Sequence, residues 1–257
     1  PNEELNRNQW YAGRMDGLVW GYETVGIAKT DAEMEAHLAS LPNGGQSQLG
    51  SKWAAGDIMY KDLNGDGKIS SGDGTLNDLG DLKVVANTQL RFKYGLTLDA
   101  SWKGFDFSAF FQGVGKRDVV VGGPYFWGAN GQGMWQAAAF KDHMDYFRPE
   151  DTESVFGPNV DAYYPRVIFG GGSSEGGKNT LTQSRYVQNG AYIRLKNLQL
   201  GYTLPSTITK KFAVNSLRVY VSGDNLWTGT KMRVFDPEVL GSTGDAGKAY
   251  PLARVWS

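Results

Sequence analysis

The sequence predicts an all-β protein whose long antiparallel strands form part of a transmembrane β-barrel, and three observations carry that expectation. Apolar and polar residues alternate without a break from Arg91 to Trp102, the period of a strand with one greasy and one wet side. Short turns and long loops alternate along the second half of the chain, as they do in outer-membrane barrels. Aromatic residues make up 13% of the chain beside 35 glycines, a mixture that favours strands and loops over helices.

Composition removes several classes first. With 26 basic and 27 acidic side chains, the net charge of -1 sets up no field that would collect nucleic acid. No run approaches the roughly 20 apolar residues of a membrane helix. Cysteine is absent, and His37 and His143 are the only imidazoles. Disulfide frameworks, thiolate metal sites and multi-histidine centres are thereby excluded.

Taken in order, residues 1–10 show no signal-peptide pattern, and a short strand is expected within Gly17–Thr24. Residues 30–41 (TDAEMEAHLASL) read as the one convincing helix. Thr30 and Glu33 form a capping box, and Pro42 with two glycines closes the segment. His37 is expected to be a solvated helix residue.

Residues 62–73 (DLNGDGKISSGD) match a calcium-loop template. Asp62, Asn64 and Asp66 take the first three alternating ligand positions, and Gly67 the sharp turn. Lys68 offers its carbonyl, Ser70 a direct or water-mediated contact, and Asp73 closes the loop. A structural Ca2+ is expected, with Mg2+ admitted because Asp73 replaces the usual longer Glu. The bland alternative is an Asx-rich turn without metal.

The strand at 91–102 places Phe92, Tyr94, Leu96, Leu98, Ala100 and Trp102 on one face, with Arg91, Lys93, Thr97 and Asp99 on the other. Lys103-Gly104 is a two-residue turn. Phe105, Phe107, Ala109 and Phe111 resume the apolar face, with Phe110 the exception. In 190–227, Ala191, Ile193 and Leu195 have the opposite parity to Leu198, Leu200, Tyr202 and Leu204. A bulge is therefore expected near Lys196–Asn197. Pro205 ends that strand, and Leu217, Val219 and Val221 begin the next. Long connections span 114–189 and 228–250. The expected division is a loop region at 1–87, extracellular and containing 62–73, followed by barrel strands at 88–257. Four strands cannot close a barrel, for which about eight is a common minimum, and an open sheet in lipid would leave backbone groups unpaired. The chain is expected to be a piece of a larger barrel.

The motifs GDIMYKDLNGDGKIS (56–70), FKYGLTLDASWKGFDFSAFFQGVG (92–115), RYVQNGAYIRLKNLQLGYTLP (185–205), SLRVYVSGDNLWTGT (216–230), DPEV (236–239) and YPLARVWS (250–257) together resemble the C-terminal barrel segment of SusC/RagA-type TonB-dependent outer-membrane transporters of Bacteroidetes. That resemblance implies a roughly 22-stranded barrel with a plug, in the outer membrane of a Gram-negative cell. It further implies energy input from TonB through parts outside this sequence, a SusD-type lipoprotein lid, and import of oligosaccharides or peptides.

Among loop aromatics, Tyr125, Phe126, Trp127 and Trp135 are the candidate substrate contacts, with Tyr146 and Phe147 nearby. Flat rings suit sugar faces and peptide side chains; the alternative is packing of the loop upon itself or on the lid. No nucleophile elbow, phosphate loop or metalloprotease motif is present, so no enzymatic role is expected. The competing classes are a secreted, calcium-stabilised β-sandwich that binds carbohydrate, and a dockerin-like module, which would need two calcium loops and flanking helices.

Overall fold

The computed structural model describes residues 2–130, 139–169, 174–240 and 250–257. The described chain forms two compact units. The first combines residues up to Thr88 with Val119–Val187, and the second combines Gln89–Asp118 with Gln188–Leu240 and the C-terminal residues. The long connection at 114–189, expected to accompany the barrel strands, therefore folds mostly with the N-terminal residues.

In the first unit, β1 (Leu18–Tyr22) lies where the short strand was expected and pairs antiparallel with β4 (Leu82–Asn87); β2 (Thr24–Ile27) pairs with β3 (Ile58–Tyr60). Helix α1 (Asp31–Ala39) starts at the expected cap. The Thr30 hydroxyl accepts from the Glu33 N–H at 3.1 Å, and the Glu33 carboxylate accepts from the Lys29 N–H at 2.6 Å. The reciprocal bond thus reaches one residue further back than a capping box requires. Met34 of α1 packs with Ala28 and Met59, flanked by Leu38 and Trp53. Single helical turns at Pro124–Trp127, Ser174–Gly177 and Ser206–Thr209 add to the one helix that was expected. The two short strands β7 (Asp118–Val120) and β8 (Val187–Asn189) occur where the chain passes from one unit to the other.

The second unit is one antiparallel sheet in the order β11-β10-β9-β6-β5. Its strands are β5 (Arg91–Trp102), β6 (Phe105–Lys116), β9 (Tyr192–Thr203), β10 (Arg218–Thr230) and the short β11 (Val255–Trp256). The four long strands have 12, 12, 12 and 13 residues, more than the 9–11 or so that a tilted strand needs to cross a bilayer. Lys103 and Gly104 have φ of 46° and 88°, the paired positive values of a type I′ hairpin turn.

Register keeps the apolar faces together. Leu96 lies opposite Phe111, Leu98 opposite Ala109 and Trp102 opposite Phe105; Phe107 meets Leu200, which meets Val221. The expected bulge is present: Phe110 and Phe111 pair with Asn197 and Leu195, leaving Lys196 as the extra residue. That insertion switches parity within β9 and keeps Leu195 and Leu198 on one face. Phe110 departs from the apolar parity because its ring covers Gly95 on the wet face: a Cβ on Gly95 would lie 3.2 Å from Phe110 Cε2. The aromatic ring there fills space that glycine leaves open.

Candidate functional site

The two faces of the five-stranded sheet are chemically opposed. The row from Phe92 to Trp102 stands in the open, with Phe92 75% and Trp102 69% exposed, and Leu96, Leu98, Phe105, Phe107, Leu200, Val219 and Val221 are exposed with it. No second layer covers it among the described residues. An apolar area of this extent marks an interaction surface rather than a water-facing one.

Arg91, Lys93 and Asp99 occupy the other face, as their parity requires. There the Arg218 guanidinium donates to both Asp106 oxygens at 3.0 and 2.5 Å. The pair spans β9 above Gly201, where a Cβ would sit 2.6 Å from each partner. Glycine at 201 is what lets the charges meet.

A second cluster on β9 ties down the loop that follows β10. Arg194 donates to both oxygens of Asp236 at 2.7 Å and to Thr228 Oγ1 at 2.8 Å, and it lies 3.0 Å from Glu238; Lys196 reaches Glu238 at 2.9 Å. Arg117, buried after β6, donates to the Pro237 and Leu240 carbonyls. Burial alone would raise the Asp236 pKa. The Arg194 bond and the Glu238 and Leu252 N–H groups outweigh it and hold the carboxyl below its ordinary value. Sequence reading missed this clamp, although two signals existed: the cations Arg194 and Lys196 within one strand, and the acidic DPEV segment.

The first unit is organised around Gly56–Tyr60. Asp57 is fully buried and accepts from Arg166 at 2.7 and 2.8 Å, from Asn179 at 2.8 Å and from the Ala54 N–H at 3.0 Å, with Lys178 Nζ at 2.9 Å. Glu175 pairs with Lys178 at 3.1 Å and accepts from Ser51. Burial pushes the Glu175 carboxyl up, but the Ser51 and Lys178 bonds dominate and bring its pKa down to about 2. Gln46 joins the same network, taking the Tyr60 N–H at 2.6 Å and contacting His37 at 3.2 Å. His37 is therefore bonded rather than merely solvated.

Of the candidate substrate contacts, Phe126 and Trp127 are buried in an aromatic cluster with Tyr164 and Tyr186, at ring separations of 4.7 to 6.4 Å. Their apolar area is spent on the interior, which withdraws Phe126 from ligand contact and leaves Trp127 only a cavity edge. Tyr125 is exposed and stacks on Phe140 at 5.6 Å. Trp135 lies outside the described residues. Phe147 is buried, against Gly56.

The loop at 62–73 is curled by its own side chains. Asp62 accepts from the Gly65 and Gly67 N–H groups at 2.6 and 2.8 Å, Asn64 from Asp66 at 2.9 Å, and Asp66 from Lys68 at 3.0 Å. Asp73 caps the Thr75 N–H at 2.7 Å instead of closing the loop. Buried Asp81, which sequence reading passed over, closes it from outside by accepting from Leu63 and Ser70, each at 2.7 Å. Burial raises the Asp81 pKa against those bonds. No group of three or more acidic or histidine side chains converges as a metal site among the described residues.

No family model matches the chain. TonB-dependent receptor P3 of Formosa agariphila is 30% identical over 226 residues, covering 88% of this chain and 19% of that protein. TonB-dependent receptor P26 of the same organism is 30% identical over 221 residues, covering 85% and 19%. The chain is a homologue of TonB-dependent receptors.

It spans about 19% of the length of these receptors. The fold agrees. A structure of the RagAB peptide transporter superposes with a TM-score of 0.57 at 22% identity, covering 93% of this chain and 22% of that one. The RagAB importer in its open-open state gives 0.56 at 20% identity, covering 96% and 24%. An open sheet with one apolar face is what a segment of such a receptor barrel presents.

Proposed function

We propose that this chain is a wall-and-loop segment of a TonB-dependent importer in the outer membrane, carrying oligosaccharides or peptides too large for porins. The observation that supports it most is the uncovered apolar face that runs in register across β5, β6, β9 and β10. Hydrocarbon is the environment in which that face is at its lowest free energy, and the opposite face, with Arg218–Asp106 and Asp99, suits a watery lumen. The free edge of β5 requires a neighbouring strand, since unpaired N–H and C=O groups in lipid each cost several kcal/mol. Energy coupling through TonB and a SusD-type lipoprotein lid follow from the family resemblance. The relatives being receptors supports a transport role without enzymatic chemistry.

A Ca2+ or Mg2+ ion held by Asp62, Asn64, Asp66, the Lys68 carbonyl and Ser70 is a separate proposal. It rests on the donor spacing and on the curl those side chains already impose; Asp73 drops out of the set.

The chain has no cysteine, which makes spin labelling direct. Single cysteines at Leu96, Leu98, Leu200 and Val221, and at Thr97, Gln199 and Ser222, are labelled in outer-membrane vesicles. The first group is expected to be relaxed by oxygen dissolved in lipid, the second by a water-soluble nickel chelate. Equal access of the chelate to both groups overturns the reading.

A further inference from the structure

Two short connections meet at one end of the five-stranded sheet, and the import reading gives them no task beyond joining strands. The Thr203 N–H donates to the Gly104 carbonyl at 2.8 Å, and the Leu204 N–H donates to the Leu217 carbonyl at 2.9 Å. The Lys103-Gly104 turn and the connection over 205–216 therefore sit at the same end. A cleft of about 280 Å3 opens there, with Ser101, Trp102, Lys103, Asp106 and Thr203 in its wall.

Positive charge and apolar area coincide at this end. Residues 200–217 contain Lys210 and Lys211 and no acid. Lys103, Lys210 and Lys211 are exposed, and no ion pair engages them among the described residues. Lys103 Nζ lies 4.8 Å from the centre of the Trp102 ring. Asp106 is the one carboxylate in the cleft wall, and Arg218 occupies both of its oxygens. The charge left over is positive. Ile208, Phe212, Val214 and Leu217 are exposed beside the lysines, Phe212 at 75%. Leu217 shares the parity of Val219 and Val221, so this apolar area continues into the uncovered row of β10. Lysines bordering such an area can lay their stems on hydrocarbon and keep their charged ends at its polar edge.

We propose that this end of the sheet binds an anionic phospholipid of the periplasmic leaflet. Lys103, Lys210 and Lys211 draw its phosphate, and its acyl chains lie on the adjoining apolar row. Short turns of outer-membrane barrels face the periplasm, so the site rests on the import reading and adds a lipid preference to it.

Bimane attached at Thr207→Cys, an exposed position in the helical turn Ser206–Thr209, reads the site in the intact protein reconstituted in phosphatidylcholine vesicles. A minor fraction of the lipid is phosphatidylglycerol or phosphatidylcholine bearing a nitroxide quencher high on one acyl chain. The quenching is expected to show at least a roughly fivefold preference for phosphatidylglycerol, the gain from one lysine beside an anionic headgroup. Lys103→Gln, Lys210→Gln and Lys211→Gln together bring the two lipids level. Lys93→Gln with Lys116→Gln, at the other end of the strands, leaves the preference intact. Equal quenching by both lipids, a preference that survives the triple substitution, or one lost equally through the Lys93 and Lys116 pair overturns the lipid site and leaves the import reading standing. Absence of quenching by either lipid also overturns the site, and the import reading then stands or falls on oxygen access at Leu96 and Leu98.

Discussion

Replacing Arg194 by Met tests whether the charged clamp fixes the loop after β10. The guanidinium is nearly inaccessible and serves Asp236, Glu238 and Thr228 together. Removing one partner of a buried ion pair costs about 3–5 kcal/mol, because the remaining charges stay desolvated. Asp236 and Glu238 keep 11% and 20% of their side-chain surface, and Lys196 still reaches Glu238, so the lower end applies. About 3 kcal/mol corresponds to roughly a hundredfold rise in local opening. Hydrogen exchange of the amides at 232–240 reads it directly, the Glu238 N–H bonded to Asp236 at 2.9 Å foremost. Pairing Arg194→Met with Asp236→Asn gives a double-mutant cycle whose coupling is expected above about 1 kcal/mol. Exchange within threefold of the unaltered protein, or strictly additive effects, would refute the clamp.

Three further outcomes are expected. Gly56→Ala lowers the thermal stability of the first unit by about 2–5 kcal/mol, the sum of left-handed backbone strain and overpacking, since φ is +85° and the new Cβ would lie 2.4 Å from Phe147 Cδ1. Gly13→Ala, with the same φ but nothing within 4 Å, shows only the backbone part. Glu175, depressed to about 2, contributes stability that is complete above its ordinary pKa of 4.5 and is lost as pH falls towards 2. The protection factors of the Ser51 and Lys52 amides, corrected for the pH dependence of intrinsic exchange, therefore fall across that window, and Glu175→Gln removes the fall. If 62–73 holds calcium, an ion concentration ten times the Kd raises stability by about 1.4 kcal/mol in thermal melts, and Asp62→Ala cancels the gain; flat melts up to about 10 mM, beyond the range of extracellular calcium modules, leave an Asx turn without metal.

What could be read in advance was whatever depends on local period. The alternation of 91–102, the Lys103-Gly104 turn and the parity break at Lys196 are properties of neighbouring residues, and each was visible in the letters. The Thr30 cap was legible for the same reason. Phe110 was an unexplained exception because its cause, the gap above Gly95, lies on the adjacent strand. The aromatic run at 125–127 was not resolved by its letters, because composition does not distinguish rings that bind from rings that pack, and only the structure shows Phe126 and Trp127 buried and Tyr125 exposed. The networks around Asp57 and Arg194 were invisible for a deeper reason: their partners are single polar residues brought together over long separations, such as Asn179 on Ile58 across 121 positions. No periodic signal announces such a meeting.

That separation has a consequence for biogenesis. Asp57, Ile58 and Tyr60 obtain Lys178, Asn179 and Gln183 only after the β5–β6 hairpin has already been synthesised between them. Closing a loop of that size is slow and entropically uphill until its contacts form. The nascent chain therefore emerges with Asp57 lacking Arg166, Lys178 and Asn179 while a hairpin with a greasy face waits beside it. The buried carboxylate of Asp57 is thus neutralised late, once residues 166–179 have been made.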